Sequence, residues 1–152
     1  MRGKLLAAAA FLAACGRMAG EDATEAAVKD AGARLRRPGC AAVLASYADG
    51  SGRSLSRNLD ALNVAASTYV RWLVFEPAPE NAARCANRDV VLFTEPGSRV
   101  VYACGGRLSD VAARDRGLAS ALVVHEMLHS LGLGENPPSS AQITARVLAK
   151  CR

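Results

Sequence analysis

The only two histidines of this 152-residue chain stand four residues apart, in His125-Glu126-Met127-Leu128-His129. On a helix, residues at that spacing are rotated by about 40° and rise about 6 Å, so both imidazoles leave one face and can share a tetrahedral zinc ion. Glu126 lies about 100° round from His125, beside such an ion rather than on it. A carboxylate there can take a proton from water activated by the metal and later return it to a leaving amine. The flanking Val123, Val124, Met127 and Leu128 are apolar, which predicts a helix buried on most sides, where an unpaired charge such as Glu126 is costly without a task. Beyond the motif the chain reads Ser130-Leu131-Gly132-Leu133-Gly134-Glu135. Gly132 can adopt the left-handed conformation that ends a helix and reverses the chain. That reversal predicts that Glu135 swings back as a third ligand beside His125 and His129.

The remaining elements must hold this helix. Asp22 with Glu25 resembles a capping box opening a first helix over about 23–36, which Pro38-Gly39 stops. Cys40 to Tyr47 is a short apolar run read as a strand leading into the loop Ala48–Gly52. From Ser56, Leu59, Leu62, Ala66, Tyr69, Val70 and Leu73 recur at helical spacing and predict one long amphipathic helix ending before Pro77, with Trp72 in the core. Val90 to Thr94 and Arg99 to Ala103 are β-rich runs joined by Glu95-Pro96-Gly97-Ser98, a hairpin with a type II turn. Arg99 to Ala103 is expected to offer a free edge to an extended substrate. Ser109 or Asp110 caps the stretch that runs into the histidines, and Ser139 or Ser140 opens a last helix carrying Ile143, Val147 and Leu148. Tyr47, Tyr69 and Tyr102 are read as packing residues.

The signature His125-Glu126-x-x-His129-x-x-Gly132-x-x-Glu135, and more closely His129-Ser-Leu-Gly-Leu-Gly-Glu, resembles the metzincin metallopeptidases, in particular their matrixin-like members. The resemblance covers about a dozen residues closely. It implies a zincin-like domain with a mixed sheet packed on the active-site helix, and hydrolysis of peptide bonds. By it His125, His129 and Glu135 are zinc ligands and Glu126 is the general base. Two features depart from the pattern: metzincins place histidine or aspartate where this chain has Glu135, and no methionine follows Met127 to make their methionine turn. The gluzincin arrangement, with a glutamate on a later helix, finds no candidate, because no Asp, Glu or His follows Glu135.

Arg2 and Lys4 precede an apolar stretch from Leu5 to Ala14 that meets Leu12-Ala13-Ala14-Cys15-Gly16. A charged start, an apolar centre of about ten residues and small residues at the exit describe a secretory signal. Leu-Ala-Ala-Cys resembles the lipobox of bacterial lipoproteins, by which Cys15 is the lipidated anchor. The formal charge of +5 owes part of its excess to Arg2 and Lys4, and without a basic cluster or interleaved aromatics it gives no case for nucleic acid. Outside the cytoplasm, Cys40, Cys85, Cys104 and Cys151 default to two disulfides, for which three pairings exist. Cys85 and Cys104 bracket the hairpin, which leaves Cys40 with Cys151. A loop of that length stabilises the fold by about 3–5 kcal/mol.

The expected molecule is therefore α+β: a short mixed sheet with a β-hairpin, packed on a long helix and a buried active-site helix. Its organisation is a lipoprotein signal peptide at 1–14, an anchor and linker at 15–22, and a monomeric zincin-like domain at 23–152. The expected activity is zinc-dependent hydrolysis of a peptide or protein in the bacterial envelope, at the membrane through Cys15. The alternative is a non-catalytic zinc-containing lipoprotein that binds a protein or cell-wall partner.

Overall fold

The computed structural model describes residues 21–152; the expected signal peptide at 1–14 and the Cys15 anchor lie outside the described residues. Helix α1 occupies residues 21–35 and buries Ala27, Ala31 and Leu35. The next element corrects the sequence reading, since Cys40 to Tyr47 is not a strand but belongs to helix α2 (Pro38–Ser46). Short apolar runs fit a buried helix as well as a strand. Pro38 decides for helix here, because its fixed φ suits a first helical turn that follows the extended Arg37.

The long helix expected from Ser56 is also interrupted. Helix α3 (Leu55–Ala61) ends where Asn63 takes φ 51°, with Asn63 N–H bonded to Asp60 O and Val64 N–H to Leu59 O. These two bonds form a Schellman closure, with asparagine in the role glycine usually fills. A short helix α4 (Ala66–Tyr69) and a 3₁₀ turn (Val70–Trp72) follow, and the β-branched and aromatic Val74-Phe75 open strand β1 (Val74–Pro77). Trp72 is half-exposed rather than core.

The expected hairpin is present in shorter form. Strands β2 (Leu92–Phe93) and β3 (Val100–Ala103) pair antiparallel, and between them Ser98 N–H bonds Glu95 O while Gly97 takes φ 84°, as a type II turn requires. β1 adds parallel to β3 from Val74 opposite Val100 to Pro77 opposite Ala103, giving the order β1-β3-β2. β3 is therefore central, and Arg99–Ala103 has no free edge for a substrate. Phe93 and Tyr102 stack across the hairpin at 5.3 Å. A short helix α5 (Ala83–Ala86) lies between β1 and β2.

The run into the histidines is two helices, not one. α6 (Arg107–Arg114) stops at the extended Asp115, whose side chain caps a new helix, α7 (Arg116–Ser130), by accepting from Leu118 N–H. α8 (Ser140–Lys150) begins with a capping box between Ser139 and Gln142, worth about 1 kcal/mol. α7 sits between α6, α8 and β2, and α2 packs on α8. The shared core includes Val43, Leu55, Val70, Val101, Val124, Leu128 and Ile143.

Two disulfides close the domain, Cys85–Cys104 and Cys40–Cys151, as the spacing predicted. They belong to an oxidising, non-cytoplasmic compartment. The second brings α2 against the end of α8 so closely that a Cβ on Gly39 would clash with Lys150 O. Among the described residues no helix is long and apolar enough to cross a membrane.

Candidate metal centre

From Ala119 to Ser130 every residue of α7 but Leu122 is buried, so His125, Glu126 and His129 face protein rather than solvent. The helix ends in a Schellman closure: Gly132 N–H bonds His129 O at 2.8 Å and Leu133 N–H bonds Leu128 O at 3.1 Å. Gly132 has φ 104°, and a Cβ there would lie 2.8 Å from the Asp49 Cβ. Asn58 fastens this corner, its Nδ2 donating at 2.9 Å to both Leu131 O and Asp49 Oδ2. Asp49 Oδ1 accepts from Ser51 N–H, the Ser51 hydroxyl and Arg53 N–H. The Ser51 and Asn58 bonds hold its carboxyl well below the usual carboxylate range.

The reversal brings Glu135 back to the histidines. His125 Nε2 and His129 Nε2 are 2.9 Å apart, and Glu135 Oε1 is 3.2 Å from the second and 3.7 Å from the first. Donor atoms of a tetrahedral zinc site with bonds near 2.0–2.1 Å stand about 3.3 Å from one another, so the three separations bracket that value. His125, His129 and Glu135 form a group able to hold a metal ion.

The outer ring nitrogens are also placed. His129 Nδ1 is 2.7 Å from Leu133 O. A carbonyl only accepts, so this nitrogen carries the hydrogen and Nε2 keeps its lone pair. His125 Nδ1 is 2.9 Å from the Thr144 hydroxyl on α8, which can accept in the same way. In the tautomer in which His125 Nδ1 also donates, two lone pairs and a carboxylate oxygen converge on one point, an arrangement that a cation relieves; in the other, His125 Nε2–H donates to His129 Nε2. Burial, and after it the neighbouring His129, push His125 down to about 3, so the ring is neutral and free to ligate at neutral pH.

Glu126 is 4% exposed, and its Oε2 is a buried side-chain oxygen with no hydrogen-bond partner among the described residues. Its carboxyl accepts from Thr94 N–H at the end of β2. Burial first, and then the Glu135 charge, push it up to about 8 against the opposing influence of Arg84 and that N–H. A carboxyl that exchanges its proton near neutral pH is suited to general acid–base work. Arg84 pairs with Glu95 at 3.2 Å and lies 5.6 Å from the centre of the Phe93 ring. Its segment is held by Cys85–Cys104 and by Arg107, which donates to Cys85 O at 2.8 Å, Asn87 O at 2.8 Å and Val90 O at 2.6 Å.

The structure thus gathers all four motif residues, His125, Glu126, His129 and Glu135, within one corner. The tyrosines pack: Tyr69 is buried with its hydroxyl donating to Ser130 O, Tyr102 stacks on Phe93, and Tyr47 lies under Arg146. Sequence reasoning missed Thr144, Thr94, Arg84 and the Asp49–Asn58 pair. Thr144 left a trace, as a hydroxyl beside the buried Ile143 and Val147 of α8. The main-chain donor at Thr94 and the approach of Arg84 left none, because both depend on pairing across the fold. Compared with known proteins, the chain matches no family model, no curated protein and no solved structure.

Proposed function

We propose that this protein is a zincin-like, zinc-dependent peptide hydrolase acting outside the cytoplasm, tethered to the bacterial envelope through Cys15 and working as a monomer. The observation that carries the reading is the convergence of two imidazole nitrogens and one carboxylate oxygen beside a buried, partly unpartnered carboxyl. Two nitrogens and one oxygen at these separations suit zinc and leave a fourth position open, the pattern of catalytic rather than structural sites. When bound, zinc supplies a Lewis acid that polarises a peptide carbonyl and makes water a nucleophile at neutral pH. Glu126 takes the proton of the attacking water and hands it to the leaving amine. Thr94 N–H orients that carboxyl, while Thr144 and Leu133 O fix the two rings.

The test is the zinc content of the protein produced in an oxidising compartment, with Glu135→Ala and Glu126→Gln measured beside it. One equivalent in the parent, a marked loss in Glu135→Ala, and retained zinc with hydrolysis abolished in Glu126→Gln are expected. A folded, disulfide-intact parent that takes up no zinc refutes the reading. Zinc uptake with no loss of function in Glu126→Gln leaves instead a non-catalytic, partner-binding lipoprotein.

A further inference from the structure

The far side of the Glu95–Ser98 turn holds a second feature. A cavity of about 530 Å³ opens there, within the size range of small-ligand pockets. Ser130 and Leu131, the residues directly after His129, line it together with Tyr69, Trp72, Arg53 and Arg99. Gly97 also lines it, and Gly97 N–H bonds His129 O at 2.9 Å. One turn thus touches both sites: its Gly97 bonds the main chain of His129 and borders the cavity.

The charges of this cavity are unbalanced. Neither Arg53 nor Arg99 has a side-chain ion pair or hydrogen bond among the described residues. Asp49, the acid nearest to Arg53 in sequence, spends its carboxylate on Ser51, Asn58 and the Arg53 main chain. Both arginines are exposed, and Trp72, 41% exposed and 5.8 Å from the Tyr69 ring, lines the same cavity. Unpaired guanidinium forks match a carboxylate, and an exposed indole beside them covers an apolar neighbour.

We propose that this cavity is a carboxylate-recognition pocket, binding a carboxylate of a peptide between Arg53 and Arg99 with the adjoining apolar part of the peptide on Trp72. Its role as a specificity pocket rests on the hydrolase reading, whereas the binding itself does not require zinc. The carboxylate comes from an acidic side chain or from a free C-terminus, and the two sources can be separated.

Trp72 is the only tryptophan in the chain, so its fluorescence reports on this pocket alone. Four hexapeptides are titrated against the full protein carrying Glu126→Gln, with and without zinc: one internal Glu or Gln, each with a free or an amidated C-terminus. The expected result is saturable binding about tenfold tighter for carboxylate-bearing peptides, falling to the neutral peptide's level in Arg53→Gln and Arg99→Gln and partly kept in Arg53→Lys. Dependence on the internal Glu identifies a side-chain pocket, and dependence on the free terminus identifies an end-recognising one. Equal titration by all four peptides, or a preference that survives the double arginine variant, overturns the proposal. Hydrolysis by the parent is assayed separately: a carboxylate preference without hydrolysis removes the peptidase reading and keeps the pocket, and hydrolysis without the preference does the reverse.

Discussion

Replacing Gly132 by alanine should damage stability and metal affinity together. At φ 104° a side chain is strained, a cost of roughly 1–3 kcal/mol. The new methyl would also lie 2.8 Å from the Asp49 Cβ, pressing on a loop whose carboxylate is committed to Ser51, Arg53 and Asn58. The two effects together amount to about 2–4 kcal/mol. With a urea slope of roughly 2 kcal/mol per molar, the unfolding midpoint of metal-free protein should fall by about 1–2 M. Because the same corner aims Glu135 at the histidines, zinc affinity should drop by about tenfold or more. Gly134 is the internal control: it has no positive φ and a Cβ there meets nothing within 4 Å. Gly134→Ala should therefore leave the midpoint unchanged or raise it by up to about 1 kcal/mol in stability. If Gly132→Ala unfolds with the parent's midpoint and binds zinc as tightly, the corner is not what positions Glu135.

Three further outcomes follow from the same geometry. With metal chelated, Glu126, pushed up to about 8, binds its proton more tightly folded than unfolded, so its contribution to stability is lost as pH rises from about 4.5 towards 8. His125, pushed down to about 3, destabilises the fold as pH falls from about 6.5, and urea titrations should show Glu126→Gln flattening only the alkaline limb. An unchanged slope in that variant refutes the assignment. Removing Cys40–Cys151, which spans 111 residues, should cost about 5 kcal/mol against about 3 for Cys85–Cys104, which spans 19, as measured by urea unfolding of the paired alanine variants. Asn58→Ala removes donors to Leu131 O and Asp49 and should lower stability by about 1–3 kcal/mol, with a parallel loss of zinc affinity by calorimetry.

The chemistry of the corner was legible because it is local. His125, Glu126, His129, Gly132 and Glu135 fall within eleven residues, and a helix followed by a left-handed glycine places them with little help from elsewhere. The cysteine pairing was legible because the hairpin between Cys85 and Cys104 is also local. The parallel pairing of β1 with β3 was not, since Val74 and Val100 are 26 residues apart with β2 between them in sequence, and carry no mutual signature. The apolar positions from Leu59 to Leu73 kept a helical period through a break at Asn63, because the period marks what is buried and not whether the backbone is continuous. Pro38 was read as the end of one helix when it begins the next. Arg53 and Arg99 drew no notice as a pair, since only the folded chain places them around one cavity.

The two disulfides are nested, with Cys85–Cys104 lying inside the loop closed by Cys40–Cys151. A chain threaded from its N-terminus into an oxidising compartment presents Cys40 long before Cys151, and of the three cysteines that follow Cys40, Cys85 is the first to emerge. Where thiols are oxidised in the order they emerge, a Cys40–Cys85 crosslink is the expected first product of these four cysteines, and thiol–disulfide exchange has to convert it before Cys40–Cys151 can fasten α2 to the end of α8. A host that oxidises thiols without reshuffling them is therefore expected to accumulate Cys40–Cys85 crosslinked protein, which mapping of disulfide-linked peptides would reveal.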